Sequence, residues 1–337
     1  MTQAVKSFDF ANVSIAGVST VVSGRKIANS CFDNIFTSKE ISSIQKNSGV
    51  QQRYIVSNGV SSEDLCYSSA VVLLKSLGWD PRTIDGLIFL TQTPTHRLPA
   101  SACTLQTRLG LLTNTFAFDV NLGCSAYPYG LWLASSLINA GAKRILVLAG
   151  ETPSTIINPR DRATAMLFGD AGSATALECS VEEHFSSYTL GTNGLGADAI
   201  VSKFPIDLSD DSHFLKMNGS KVFEFTLSKV PELIAYLRSK NNVPIDYFCL
   251  HQANKFMLDM IRKKSGLDVA TLPINISKFG NTSSASIPLL ITDFINAKLN
   301  ATPLTLGLIG FGVGLSWSTG LITLPPSCLL LHTDQSC

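Results

Sequence analysis

The chain has 337 residues, a length that suits two domains or one large duplicated one. Hydrophobic residues make up 45% and charged ones 15%, against about 25% charged in an average soluble protein; disorder is excluded, and a large core with further surface hidden in an oligomer is expected. The 26 Lys and Arg against 25 Asp and Glu leave +1, so no global field draws in nucleic acid or a membrane surface.

Taken from the N-terminus, Met1-Thr2-Gln3-Ala4 lacks the basic start and apolar run of a signal peptide. A polar turn at Trp79-Asp80-Pro81 precedes a buried strand from Leu87 to Leu90. Ala117 to Val120 reads as a second strand, Leu131 to Ala142 carries helical periodicity, and Arg144 to Leu148 is a third strand. The polar, glycine-bearing stretch from Gly191 to Gly219 suits a surface loop or lid. Tyr247 to Leu250 and Leu304 to Ile309 are further strands. Strands separated by helices of this kind predict an α/β class with largely parallel sheets. Leu299 to Leu331 contains no Asp, Glu, Lys or Arg, but Gly307, Gly310, Gly312, Gly314 and Gly320 interrupt it. A glycine-split pair of buried strands is expected there, not a membrane helix. The eight cysteines include no C-x-x-C pair, so reduced thiols in a cytoplasmic protein are expected, without a structural metal.

A faint duplication runs through the chain. N-L-G-C-S-A around Cys124 leads to Ile138-Asn139-Ala140 and then to the strand from Arg144. K-F-G-N-T-S around Asn281 leads to Ile295-Asn296-Ala297 and then to the strand from Leu304. Cys124 to Ile138 and Asn281 to Ile295 are both 14 residues, so each half has a glycine turn, a polar residue, a helix and a buried strand. A duplicated fold would place Cys124 and Asn281 at equivalent strand-to-helix turns facing each other across a pseudo-twofold. Coincidence is the plainer alternative, because I-N-A is a short match.

Cys124 follows Gly123 at such a turn, where a helix N-terminus favours a thiolate. His251 closes a strand at the end where open α/β sheets place ligand-binding residues. Asn281 lies in F-G-N-T-S-S-A-S. Each alone has a blander explanation: an inert buried cysteine, a structural histidine, a turn asparagine.

Together, C-S-A at the turn, H-Q-A-N, G-N-T-S-S-A-S and the late G-F-G-V-G-L-S-W resemble the β-ketoacyl-acyl-carrier-protein synthase III family of the thiolase superfamily. The resemblance runs from near the N-terminus to about Leu324 and includes S-G-V-Q-Q-R-Y-I from Ser48, Thr95 to Cys103, and Phe168 to Ala174. It implies a thiolase-like, five-layered αβαβα duplicated fold forming homodimers. Residues 1–178 would be the half carrying the nucleophile, 179–325 the half carrying His251 and Asn281, and 326–337 a tail for which the resemblance gives no account.

The resemblance also implies a chemistry. Cys124 would take an acyl group from a thioester, and His251 with Asn281 would stabilise the enolate left by decarboxylation of a malonyl thioester. The backbone N–H groups of Cys124 and Val313 would form the oxyanion hole. Arg162 falls on a donor-binding position, Lys263 and Lys264 on carrier-protein docking positions, and Leu98, Phe168 and Phe223 on the tunnel and its gate. No carboxylate, which would repel an enolate, occurs in the three catalytic motifs, and the late glycine-rich segment lacks the second cysteine of a thiolase. The enzyme would be an acyltransferase of fatty acid biosynthesis, using acyl-CoA or acyl carrier protein thioesters and no other cofactor. It departs from the family at Ser43, where a tryptophan stacks on adenine, at Asn47, which replaces a phosphate-binding basic residue, and at Phe256 and Glu224, which replace docking cations. A specialised acyltransferase of secondary metabolism or surface-glycan tailoring, working without condensation, is the alternative. Acyl chain length and acceptor are not encoded in these motifs.

Overall fold

The computed structural model describes residues 6–182, 184–203, 211–240 and 244–336. In the first part of the chain the strands are β1 (Phe8–Phe10), β2 (Val13–Ala28), β3 (Gln52–Ile55), β4 (Gly86–Leu90), β5 (Phe116–Val120), β6 (Arg144–Glu151) and β7 (Ala171–Cys179). Then follow β8 (Ser186–Thr192), the short pair β9 (Ile200–Val201) and β10 (Lys216–Met217), β11 (Tyr247–Leu250), β12 (Leu304–Gly312), β13 (Ser316–Leu324) and β14 (Leu329–Ser336). The helices are α1 (Ser38–Ser48), α2 (Ser62–Leu77), α3 (Ser101–Arg108), α4 (Ala126–Asn139), α5 (Gly219–Lys240), α6 (Lys255–Lys264), α7 (Ile276–Phe279) and α8 (Ser286–Leu290), the last continuing through a π-helical turn to Ile295.

Two sheets repeat one plan. The first orders its strands β14-β2-β7-β6-β4-β5, with β3 paired to the far end of β2; the second runs β1-β8-β13-β12-β11. Within them β2-β7-β6-β4 and β8-β13-β12-β11 match strand for strand, two antiparallel contacts followed by one parallel contact in each. The 14-residue spacing read from the sequence is therefore the spacing of a true duplication. The sheets are mixed, not largely parallel. Val313 to Leu315 is too short a link for a crossover helix, so β12 and β13 form a hairpin, and β6 reaches β7 without an intervening α-helix.

Packing follows from which faces are apolar. Leu131 and Ile138 of α4 and Ile287 to Ile295 of the α8 segment share one core with inward residues of both sheets, such as Ile88, Val147, Leu306 and Ile322. Cys66, Leu73 and Leu74 of α2 and Leu105 of α3 cover the outer face of the first sheet against Leu87, Leu146 and Ala174. Leu233, Leu237, Leu258 and Ile261 of α5 and α6 cover the outer face of the second. The result is five layers, helix, sheet, helix, sheet, helix. The charge-free stretch from Leu299 forms β12 and β13 as read, and among the described residues no helix is long and apolar enough to cross a membrane.

The segment after Pro326, unexplained by sequence, is part of the first sheet. From Leu329 to Ser336 it pairs in parallel with Gly17 to Gly24 of β2. Leu330 is buried, His332 Nδ1 lies 2.9 Å from Thr20 Oγ1, and the Tyr54 hydroxyl donates to Asp334 at 2.6 Å.

Candidate active site

Cys124 stands between the end of β5 and the start of α4, two residues ahead of the first helical residue. A Cβ at Gly123 would lie 2.3 Å from Gln92 Oε1, so any larger residue at this turn would displace the Gln92 side chain. From the other half Gly312, at φ +155°, approaches so closely that a Cβ there would lie 2.7 Å from Cys124 Cβ and 3.1 Å from its Sγ. The sulfur is thus enclosed by both halves. Burial pushes its thiol up to about 11, opposed by the Ser283 hydroxyl at 3.8 Å and by the backbone N–H groups of Val313 and Cys124, and reinforced by the charge of Glu151. At that value the resting group is a neutral thiol.

His251 follows β11, its N–H extending the ladder to Ile309 O at 2.9 Å. Its Nδ1 lies 2.7 Å from Ser286 Oγ, and its ring meets Phe311 edge-on, with centroids 5.5 Å apart. Burial holds its pKa down to about 3, so the imidazole is neutral. Asn281 is fixed by its backbone: its N–H donates to Leu167 O at 2.9 Å, and its carbonyl accepts from Gly169 N at 3.0 Å. Its Oδ1 accepts from Ser283 N at 2.9 Å, while its Nδ2 makes only a long 3.4 Å bond to Ala253 O. Ser283 takes φ 50°, a conformation uncommon for a non-glycine residue that clusters at functional sites.

Cys124, His251, Asn281, Val313 and Phe168 line one cavity. Ile200, Leu215 and Met217 form part of its wall, so the stretch read as a loop or lid bounds the site; residues 204–210 lie outside the described ones. The sequence motifs missed Glu151, which closes β6 and lines the same cavity while only 1% exposed. Its carboxylate accepts from Gln92 N at 3.1 Å and from Thr93 Oγ1 at 2.8 Å. Burial pushes it up to about 7. The signal was an acid ending the apolar run R-I-L-V-L-A-G-E, which reads equally well as a solvated strand end.

Residues 118–194 match the family described as 3-oxoacyl-[acyl-carrier-protein] synthase III, and residues 240–324 match its C-terminal part. The β-ketoacyl-[acyl-carrier-protein] synthase III of Streptococcus mutans serotype c is 36% identical over 293 residues, covering 83% of this chain and 89% of that protein. Its counterpart from Streptococcus pneumoniae serotype 19F is 36% identical over 296 residues, covering 83% and 90%. The chain belongs to the β-ketoacyl-[acyl-carrier-protein] synthase III family. Among solved structures, a 3-oxoacyl-(acyl-carrier protein) synthase from Burkholderia xenovorans LB400 superposes with a TM-score of 0.94 at 39% identity, covering 98% of this chain and 99% of that one. A synthase III from Thermus thermophilus gives 0.84 at 31% identity, covering 93% and 99%. The family is one of acyl-transferring, condensing enzymes with the thiolase fold.

The peripheral positions that the family resemblance assigns lie apart from the cavity. Leu98 is 85% exposed on the loop before α3 and is not among the residues that line the cavity. Phe223 points its ring onto Phe256, stacked at 5.7 Å, and its neighbour Val222 faces the cavity instead. Arg162 is exposed and pairs with Glu40 of α1 at 3.6 Å, one turn before the exposed Ser43. Lys263 and Lys264 are exposed in the last turn of α6, where Lys264 Nζ also donates to Leu227 O at 2.8 Å.

Proposed function

We propose that Cys124 accepts an acyl group from a thioester and that His251 and Asn281 then assist a decarboxylative Claisen condensation with a malonyl thioester. The observation that carries this reading is the convergence of the three side chains, drawn from both halves of the duplication, on one enclosed cavity. A neutral His251 suits the role: in the tautomer that carries its proton on Nε2, Nδ1 accepts from Ser286 Oγ and the Nε2–H is a hydrogen-bond donor to an enolate oxygen. Asn281 Nδ2, weakly engaged by Ala253, is available as the second donor. The N–H groups of Val313 and Cys124, both directed at the sulfur, suit the oxyanion of the condensation step. The halves divide as 1–178 and 179–325.

The donor in this reading is an acyl group on carrier protein, with free acyl-CoA a poor substitute. Ser43 offers no ring to stack on adenine, and Arg162 is already engaged by Glu40. Loss of one aromatic stacking partner would weaken binding by roughly 1–3 kcal/mol. Lys263 and Lys264 are the cations left for an acidic carrier protein. The enzyme acts as a cytoplasmic homodimer without a further cofactor. A dimer is favoured by β5, the outer strand of its sheet, whose residues Phe116 to Val120 are all half-buried. The specialised, non-condensing acyltransferase remains the second reading because of the same altered donor positions.

The test is incubation with a series of acyl-CoAs and acyl carrier proteins, followed by intact mass measurement and then addition of malonyl carrier protein. Adduct on Cys124 that is consumed to a 3-oxoacyl product supports the reading. Adduct released without carbon–carbon bond formation selects the second, and no adduct with any donor refutes both.

A further inference from the structure

Acylation of a thiol requires somewhere for its proton to go. Cys124 rests as a neutral thiol, and His251, held near 3 by burial with Nδ1 engaged by Ser286, is a weak base. Glu151 is the remaining ionisable group of the cavity wall, and nothing in the family resemblance assigns it a role. None of the ion pairs among the described residues includes it, although a buried carboxylate ordinarily needs a cation. It is supported by neutral donors, the Gln92 N–H at 3.1 Å to both oxygens, Thr93 Oγ1 at 2.8 Å and Thr91 Oγ1 at 3.4 Å, and the Ser284 hydroxyl also favours the charged form. Thr93 Oγ1 in turn accepts from Thr152 N at 2.9 Å, which directs its own hydrogen at the carboxylate. A carboxyl so placed is near 7, matched to proton transfer at neutral pH. The titratable groups around it are Cys124 and His251 in the cavity, and Cys66 with Glu63 on α2, which packs against Gly150.

We propose that Glu151 is the proton acceptor for Cys124 in the acylation step. As Sγ attacks the thioester carbonyl, the S–H bond breaks and the proton crosses the cavity to the Glu151 carboxylate. The tetrahedral adduct then collapses, the bond to the donor sulfur breaks, and the departing thiolate takes the proton from Glu151 and leaves as a thiol. No proton is gained or lost overall. The inference rests on Cys124 being the nucleophile, and it deepens that reading by dividing the labour: Glu151 serves acylation, whereas His251 and Asn281 serve condensation.

A carboxylate that merely ties residues 91–93 to the end of β6 would make no such difference, so the experiment needs two readouts. Acylation of Cys124 by an acyl carrier protein and its alkylation by iodoacetamide are each followed from pH 6 to 9 in the full chain and in Glu151→Gln. Wild-type acylation should rise through about pH 7. In Glu151→Gln that limb should vanish and the rate at pH 7 fall by roughly 10²-fold, the gap closing towards pH 9 as thiolate forms unaided. Alkylation should not fall, because removing the nearby negative charge favours the thiolate. An unchanged acylation limb, or acylation and alkylation falling together, overturns the proposal. If Glu151→Gln does not fold, Thr93→Val serves: losing a hydroxyl that stabilises the carboxylate should move the limb to higher pH, and an unmoved limb is equally fatal. Absence of acylation in the wild type would instead refute Cys124 as nucleophile.

Discussion

Lowering the pH from 7 to 5 should change the stability contributed by the cavity very little, because two buried groups there act with opposite sign. His251 is held down to about 3 from an ordinary 6.5. The unfolded chain therefore binds more protons below 6.5, and stability is lost as the pH falls, by about 2 kcal/mol between pH 7 and 5. Glu151 is pushed up to about 7 from an ordinary 4.5. Here the folded protein binds more protons between 7 and 4.5, so stability is gained over the same interval, again by about 2 kcal/mol. Glu151→Gln removes the gain and leaves the loss, so this variant should lose about 2 kcal/mol more than the wild type on acidification. His251→Asn should do the reverse, and the double variant should again resemble the wild type. Urea denaturation at both pH values reads the effect as a change in midpoint at constant slope. Equal changes in wild type and Glu151→Gln would refute the charge states derived for this cavity.

Three further outcomes are expected. His251→Ala and Asn281→Ala should keep acylation of Cys124 measurable, yet depress malonyl decarboxylation by roughly 10²-fold, while Cys124→Ala abolishes acylation; equal loss of acylation in all three would contradict the division of roles. Gly312→Ala places a methyl 2.7 Å from Cys124 Cβ at a left-handed φ, so acylation measured by mass should slow by at least about 10-fold, with a stability loss of about 1–2 kcal/mol. Ending the chain at Pro326 removes β14 and the buried Leu330, which alone is worth about 1.5–3 kcal/mol, and should lower the midpoint of thermal unfolding measured by calorimetry.

The sequence made legible what local pattern encodes. Leu87 to Leu90 and Tyr247 to Leu250 are strands because their apolar runs are buried on both faces, and the 14-residue spacings mark equivalent turns because the same elements follow each. By contrast β7, A-G-S-A-T-A-L-E-C, shows neither alternation nor a large apolar run; small residues suffice there because layers press on it from both sides. Glu151 escaped for a related reason. An acid at the end of an apolar strand is ordinarily solvated, and its burial is decided by residues 91–93, far away in the chain. The enclosure of Cys124 was hidden on the same ground: the helix start is local, whereas the enclosing Gly312 belongs to the other half. The place of β14 depends on β2, some three hundred residues earlier, and no local signal can carry that.

That last pairing sets an order of events during synthesis. β2 is the second strand made, yet one of its edges is completed only by β14. At about 5–20 residues per second, the roughly 300 residues between Ala28 and Leu329 separate the two by roughly 15–60 s. Through that interval the nascent first half presents a row of unpaired N–H and C=O groups, the kind of edge that recruits a second strand. Whatever shields it, whether a chaperone or a provisional contact within the chain, must yield to Leu329–Ser336. Expression yield is therefore expected to depend on elongation speed and on what is fused beyond residue 337, even though neither touches the cavity around Cys124.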